Sequence, residues 1–228
     1  MKIRDARGRK DGSSGYTRVL GNDELGQLIS RIQSTVISNG TELERIIVSM
    51  TKTISSLEEF IDNVTEGVQP EGVYLCQKKV LKKSIYSIPG IEPDLLIFTV
   101  DRKRVCKVIE LKDGDNFDTK KSQSEREHLE QFSLQFGAKI PFVTEFYICC
   151  FNQPDKEIIK EGFKNKFEPE HIMNGQELCE VLNISYDDIL KGRKHDMEDN
   201  INYFIDELLK IDDVRNRIEQ KLNNKSLK

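Results

Sequence analysis

Residues 92–112 read EPDLLIFTVDRKRVCKVIELK, two apolar runs separated by a short polar stretch. The runs span 94–100 and 105–112 and are rich in Leu, Ile, Phe and Val. Runs of this length and composition are typical of β-strands. The segment is therefore predicted to form a β-hairpin.

Charged residues stand at the open end of this hairpin. Because side chains alternate along a strand, Glu110 and Lys112 project from one face, while Ile109 and Leu111 pack on the other. Asp94 reaches the face of Glu110 only if the hairpin loop holds an odd number of residues or a bulge. Two converging carboxylates repel each other unless a cation lies between them, and hard oxygen ligands favour Mg²⁺. A phosphate could complete the coordination of such an ion.

The motif Pro93-Asp94, the intervening apolar hairpin and Glu110-Leu111-Lys112 resemble the signature of the PD-(D/E)XK nucleases at all four defining positions. Within that superfamily the chain most resembles type II restriction endonucleases. The resemblance implies an α/β domain with a central mixed sheet flanked by helices. It also implies Mg²⁺-dependent, sequence-specific hydrolysis of double-stranded DNA that leaves 5′-phosphate ends.

The same resemblance assigns roles to individual residues. Asp94 and Glu110 would hold Mg²⁺, and Lys112 would orient the attacking water and offset negative charge on the phosphate. Many members add a carboxylate from a helix, and Glu44 resembles that residue. Thr41 and Glu44 also match a capping box, so a purely structural role for Glu44 stays open.

Candidate DNA contacts lie in two stretches. Polar and basic residues cluster after the second strand, at a predicted helix start where amides and cations favour phosphate; they are Lys120, Lys121, Ser122, Ser124 and Arg126. Residues 1–20 are predicted to be a flexible basic arm in which Arg7, Arg9 and Lys10 contact DNA. The alternatives are a solvated helix start and a frayed terminus.

The rest of the chain, 21–228, is predicted to be a single nuclease domain. An amphipathic helix over 23–38 is expected to break at Asn39-Gly40, and Ser122 with Glu125 is expected to form a second capping box. A buried strand is predicted over 142–151. Helices are predicted over 174–182 and 198–222, and the basic run 78–83 is interpreted as a solvated face.

Composition excludes several classes of protein. The 228 residues include 35 Lys and Arg against 39 Asp and Glu, so any DNA site must be a local patch. No apolar run reaches the length of a membrane span and no secretory signal precedes the domain, so a cytoplasmic protein is expected. The five cysteines are expected to be buried thiols. No glycine-rich phosphate loop is present, and no nucleotide cofactor is expected.

Three functions follow from these patterns. The first is a type II restriction endonuclease, expected to be a homodimer because a palindromic site mirrors a two-fold axis. The second is a structure-specific or DNA-repair nuclease of the same superfamily. The third is a non-catalytic DNA- or protein-binding domain in which the carboxylates are only a polar strand face.

Overall fold

The predicted hairpin lies in the middle of a five-stranded mixed sheet in the computed structural model, which describes residues 2–8, 15–114 and 119–225. The strands are β1 (Gly72–Gln77), β2 (Leu95–Val100), β3 (Val105–Lys112), β4 (Val143–Cys150) and β5 (Ile172–Asn174), in that order across the sheet. The first three pair antiparallel, whereas β4 is parallel to β3 and β5 to β4. The predicted α/β class, the hairpin and the strand over 142–151 are confirmed.

The register of the hairpin places the charged residues together. Leu95 pairs with Ile109, and Thr99 pairs with Val105. Residues 100–104 lie between the last pair, which is an odd number, as predicted. The same register continued by one residue places Asp94 opposite Glu110.

The helices are α1 (Gly15–Leu20), α2 (Asp23–Ser49), α3 (Leu57–Thr65), α4 (Lys78–Leu81), α5 (Thr119–Gly137), α6 (Lys156–Gly162), α7 (Gly175–Leu182), α8 (Tyr186–Lys210) and α9 (Asp212–Lys225). The chain divides into two compact units. One comprises Met1–Glu42 with Asp187–Lys228, and the other, Leu43–Tyr186, contains the whole sheet.

The sheet is buried on both faces. On one face, Phe98 and Val108 belong to a core cluster with side chains of α3 and α5, including the fully buried Phe132. On the other face Ile97 and Ile109 are also fully buried, and α7 contacts β1 and β4. Alternation along β3 puts Glu110 and Lys112 on the face covered by α5. The charged end of β3 therefore continues an apolar core.

The helix over 23–38 does not break where expected. α2 runs through Asn39-Gly40 to Ser49, so the predicted break is wrong. Glycine in a helix interior is about 1 kcal/mol less favourable than alanine. The buried Leu43 and Ile47, which follow Gly40, keep the helical period. Because Thr41 lies inside α2, the predicted capping box with Glu44 is wrong as well.

Two further helix predictions need correction. α5 begins at Thr119, so Ser122 lies inside it and does not cap it. The helix predicted over 198–222 is two helices, α8 and α9, which meet at the buried Ile211. The second starts with Asp212 and Asp213, a favourable charge at a helix N-terminus. The helix predicted over 174–182 is confirmed as α7, with Asn174 as its N-cap.

The N-terminal residues make contacts within the first unit. Ile3 is buried and its backbone N–H donates to Asn200 Oδ1 at 2.6 Å, while Arg4 pairs with Asp199 at 2.5 Å. Arg9 and Lys10 lie outside the described residues. The division into an arm over 1–20 and a single domain over 21–228 stays a prediction.

Gly40→Ala tests the continuity of α2. A Cβ built at Gly40 meets no atom of the described residues within 4 Å, outside its chain neighbours and its own helical turns. We expect the variant to raise the free energy of unfolding by about 0.5–1 kcal/mol in urea denaturation, because alanine favours a helix interior. Gly175→Ala is the control with the opposite expected result: it should lower the free energy of unfolding, because its Cβ would overlap the Phe151 carbonyl oxygen. Loss of stability in Gly40→Ala would argue for the break instead.

Candidate active site

Asp94, Glu110 and Lys112 meet at one end of the β2–β3 hairpin. The backbone N–H of Leu111 donates to Asp94 Oδ2 at 3.0 Å, which ties Asp94 to β3. Lys112 Nζ donates to Glu110 Oε1 at 2.7 Å. The side chains of Asp94, Glu110 and Lys112 are 16%, 19% and 19% exposed, so the cluster is mostly withdrawn from water.

Burial and the nearby charge of Asp94 disfavour the ionised form of Glu110. Desolvation, followed by the charge of Asp94, raises the pKa of Glu110 to about 7, although Lys112 opposes the shift. Burial disfavours the ammonium of Lys112, but its contacts with Glu110 and Glu125 outweigh burial and raise the pKa of Lys112. Lys112 is therefore a cation at neutral pH, beside a carboxylate that is easily protonated.

A third carboxylate, Glu125 of α5, joins the cluster. Its Oε1 accepts from Lys112 Nζ at 2.8 Å. Its Oε2 is buried and has no hydrogen-bond partner among the described residues. Glu125 is not among the predicted site residues, because the Ser122-x-x-Glu125 spacing indicates a helix cap. The available signal was the helical period, which puts Glu125 on the same stripe as the buried Leu129, Phe132 and Phe136.

Glu44 and Lys78 approach Asp94 from two helices. Burial, and then the charge of Asp94, raises the pKa of Glu44, while Lys78 lowers it. Lys78 Nζ lies 3.6 Å from Asp94 Oδ1. Since Glu44 does not cap a helix, the structural alternative for this residue is wrong, and its place in a metal site stays a prediction. Lys78 belongs to the run 78–83 interpreted as a solvated face; its side chain is 40% exposed and also pairs with Asp94.

A cavity of about 370 Å³ adjoins the cluster. Its lining includes Lys78, Glu110, Glu125 and His128. A group entering this cavity would meet the carboxylate of Glu110 and a cation from α4. With Glu92, the lining holds three carboxylates and one lysine, so an anionic substrate would need a cation beside these carboxylates.

Asp94 and Glu110 fit the requirements of a divalent cation. Both offer hard oxygen ligands, and a cation between them would relieve the repulsion that contributes to the raised pKa of Glu110. Within residues 2–8, 15–114 and 119–225, no group of three or more His, Cys, Asp or Glu is arranged to hold a metal ion. Asp94 and Glu110 would be two of the ligands, and water and phosphate would supply others, which is usual for Mg²⁺.

The predicted DNA contacts have different surroundings. Lys121 is exposed on α5, Arg126 pairs with Glu130 at 3.1 Å, and Ser124 Oγ lies 3.5 Å from His128 Nε2. Ser122 is fully buried, so its predicted contact with DNA is wrong for this structure, because a buried hydroxyl cannot reach a phosphate. The side chain of Lys120 lies outside the described residues, and Arg7 is exposed in the first unit.

Other features agree with the composition. All five cysteines are free and buried, as predicted. None of the helices in the described part of the chain is long and apolar enough to cross a membrane.

Comparison with known proteins identifies a close relative. The chain is 59% identical over 223 residues to a protein from Haemophilus parahaemolyticus named Type II restriction enzyme HhaII. The alignment covers 96% of this chain and 98% of the relative. No family model matches the chain. No solved structure matches it significantly.

The pH dependence of stability tests the environment of Glu110. Its pKa of about 7 in the folded protein exceeds the ordinary 4.5, so the folded state binds the extra proton between these values. The contribution of Glu110 to the free energy of unfolding must fall as pH rises through that window, by on the order of 2–3 kcal/mol. We expect the free energy of unfolding of wild type, minus that of Glu110→Gln, to fall by this amount as the pH rises from 4.5 to 7.5. Urea denaturation in EDTA measures both.

Glu127→Gln, an exposed substitution on α5, serves as the control and should keep the pH dependence of wild type. An identical pH dependence in wild type and Glu110→Gln would contradict the raised pKa of Glu110.

Proposed function

The chain belongs to the type II restriction enzymes, and we propose that Asp94, Glu110 and Lys112 form its catalytic site, of the PD-(D/E)XK kind. The enzyme is a site-specific deoxyribonuclease, and its substrate is DNA. The observation that carries the proposed site is that the Leu111 N–H donates to Asp94 Oδ2 at 3.0 Å while Lys112 Nζ lies 2.7 Å from Glu110 Oε1. This supplies two metal ligands and a cation at one strand end.

The proposed cofactor is Mg²⁺, held by Asp94 and Glu110. When bound, Mg²⁺ would polarise the scissile phosphate and lower the pKa of a water molecule. Lys112 contributes a fixed ammonium that orients the water and offsets the negative charge developing on the phosphate. Its raised pKa keeps it protonated during this role. Attack of water on phosphorus and cleavage of the P–O3′ bond leave a 5′-phosphate and a 3′-hydroxyl.

The proposed site extends to Glu44 and Lys78. Glu44 adds a partly buried carboxylate whose pKa is affected by burial and by Asp94, which supports a place beside the metal. Lys78, whose Nζ lies 3.6 Å from Asp94 Oδ1, adds a cation beside the proposed metal ligand Asp94. In a chain of net charge −4, Lys78 and Lys112 are the cations beside the proposed metal ligands that would meet the phosphate backbone.

We propose a homodimer acting on a palindromic duplex site, because a two-fold axis in the protein matches one in the DNA. The exposed Lys121 beside the proposed catalytic strand is a candidate contact to the phosphate backbone. Hydrolysis by a metal-activated water consumes no nucleotide, so no nucleotide cofactor is required.

Cleavage of a long plasmid tests the proposed catalytic site. Wild type with Mg²⁺ should give discrete fragments, and EDTA should abolish them. We expect Glu110→Ala and Lys112→Ala to lower the single-turnover rate by at least about 10²- to 10³-fold, since each removes a group that stabilises the transition state. Both variants should still bind the cleaved sequence in a gel-shift assay.

Each outcome has a distinct meaning for the site. Discrete fragments from Lys112→Ala at the rate of wild type would remove Lys112 from the mechanism. Fragments from wild type in EDTA would contradict the metal requirement. Glu127→Gln controls for general effects of removing a carboxylate and should cleave like wild type.

Glu44→Gln tests the proposed extension of the metal site. We expect a cleavage rate lower by about 10-fold and a higher Mg²⁺ concentration for half-maximal rate, because a carboxylate near the metal is lost. The free energy of unfolding at pH 7 should not fall, since the substitution removes a partly buried charge close to Asp94. Glu59→Gln, exposed on α3, is the control. An unchanged Mg²⁺ dependence would exclude Glu44 from the metal site.

A further inference from the structure

We propose that Glu125 is a positioning residue that holds the ammonium of Lys112 in place while Glu110 binds the metal. The inference rests on the proposed catalytic site and adds to it a residue from α5. Glu125 lies outside the signature motif, on a separate element of the fold. Its proposed role follows from the contacts of the Lys112 ammonium with both Glu110 and Glu125.

Lys112 Nζ contacts two carboxylates from different elements. Glu110 Oε1 lies at 2.7 Å and belongs to the same strand, whereas Glu125 Oε1 lies at 2.8 Å and belongs to α5. A carboxylate that ligates a divalent cation gives much of its charge to that cation, so its attraction for a neighbouring ammonium weakens. Glu125 then remains as a contact from a fixed helix that keeps Lys112 in position.

The helix that carries Glu125 is anchored in the core. Leu129, Phe132 and Phe136, at four, seven and eleven residues after Glu125, are 3%, 0% and 0% exposed and belong to the core cluster. These spacings put Glu125 on the face of α5 that packs against the sheet. A carboxylate on so fixed a backbone can hold a flexible lysine chain in a single orientation.

The second oxygen of Glu125 supports a functional reason for its burial. Oε2 is buried with no hydrogen-bond partner among the described residues, although Oε1 is bonded to Lys112. A buried oxygen without a partner opposes folding, and such groups are concentrated at functional sites. Glu125 also lines the cavity beside Glu110, so it lies where the reacting groups would assemble.

The consequence is an effect on turnover rather than on DNA binding. Without Glu125, Lys112 keeps its contact with Glu110 until the metal competes for that carboxylate. The ammonium would then lose one of the contacts that orient it during the reaction. The DNA contacts outside the cluster would be unaffected.

The test uses the full-length enzyme and a duplex that contains a site identified from the plasmid fragments of wild type. Glu125→Ala should lower the single-turnover rate at saturating enzyme by about 10- to 100-fold. The Kd for the same duplex, measured with Ca²⁺ in place of Mg²⁺, should stay within about twofold of wild type. Glu125→Gln keeps an oxygen that can accept from Lys112 and should lose less activity than Glu125→Ala. Glu127→Gln on the same helix should match wild type.

A double-mutant cycle separates positioning from a general structural effect. If Glu125 acts through Lys112, adding Glu125→Ala to Lys112→Ala should cause no further loss of rate. A further loss in the double variant equal to that of Glu125→Ala alone would overturn the proposal. A wild-type rate in Glu125→Ala, or a weaker Kd with an unchanged rate, would also overturn it.

Two controls keep the result interpretable. Thermal unfolding shows whether each variant is folded, and if Glu125→Ala is not, Glu125→Gln decides: a reduced rate with unchanged Kd supports positioning, and a wild-type rate overturns it. Lys112→Ala tests the proposed catalytic site separately. If Lys112→Ala cleaves at the wild-type rate, the catalytic site itself is wrong; if only Glu125→Ala does so, the positioning role alone fails.

Discussion

The pairing register of β2 and β3 fixes the positions of the charged groups on which the site depends. Leu95 lies opposite Ile109, and continuation of that register brings Asp94 to Glu110. A slip of one residue would turn the side chains of a strand to the opposite face, because the period along a strand is two. The buried apolar residues on both faces prevent such a slip, since it would exchange every packed side chain. Core packing thereby specifies the geometry of a polar site.

The same core creates the electrostatic character of the site. Glu110 continues the face of Val108, which is fully buried, so its carboxylate is desolvated and stands near Asp94. An isolated carboxylate in this position would destabilise the fold, and Lys112 offsets only part of that cost. The protein thus keeps a charged cluster at the edge of an apolar core. The proposed Mg²⁺ would compensate these carboxylates, and a phosphodiester would be a ligand for that cation.

The strand β4 pairs with the hairpin and widens the sheet on which α5 packs. The strand β4 lies parallel to β3, and α5 connects the two strands and contacts both. This crossover brings Glu125 to Lys112 across 13 residues of chain. The catalytic lysine proposed here is therefore held by a strand and a helix together, which a strand alone would not provide. Similarity to a type II restriction enzyme over nearly the whole chain is consistent with this dependence of the site on the complete sheet and helix arrangement.

The sequence by itself determined the hairpin, the strand β4, the helix α7 and the Asp94, Glu110 and Lys112 set. Each of these depends on local periodicity or on residues joined by one short loop. From sequence alone, an odd loop length was only a condition for Asp94 to reach Glu110, and the pairing register in the structure meets that condition. Tertiary structure alone decided the surroundings of Glu44, Lys78 and Glu125, since these residues come from three separate helices. It also overturned two capping boxes, because a Ser/Thr-x-x-Glu spacing occurs within helix interiors as well as at helix starts. Whether α2 breaks at Gly40 was likewise decided by distant packing, since burial of Leu43 and Ile47 outweighs the local preference of glycine for a break.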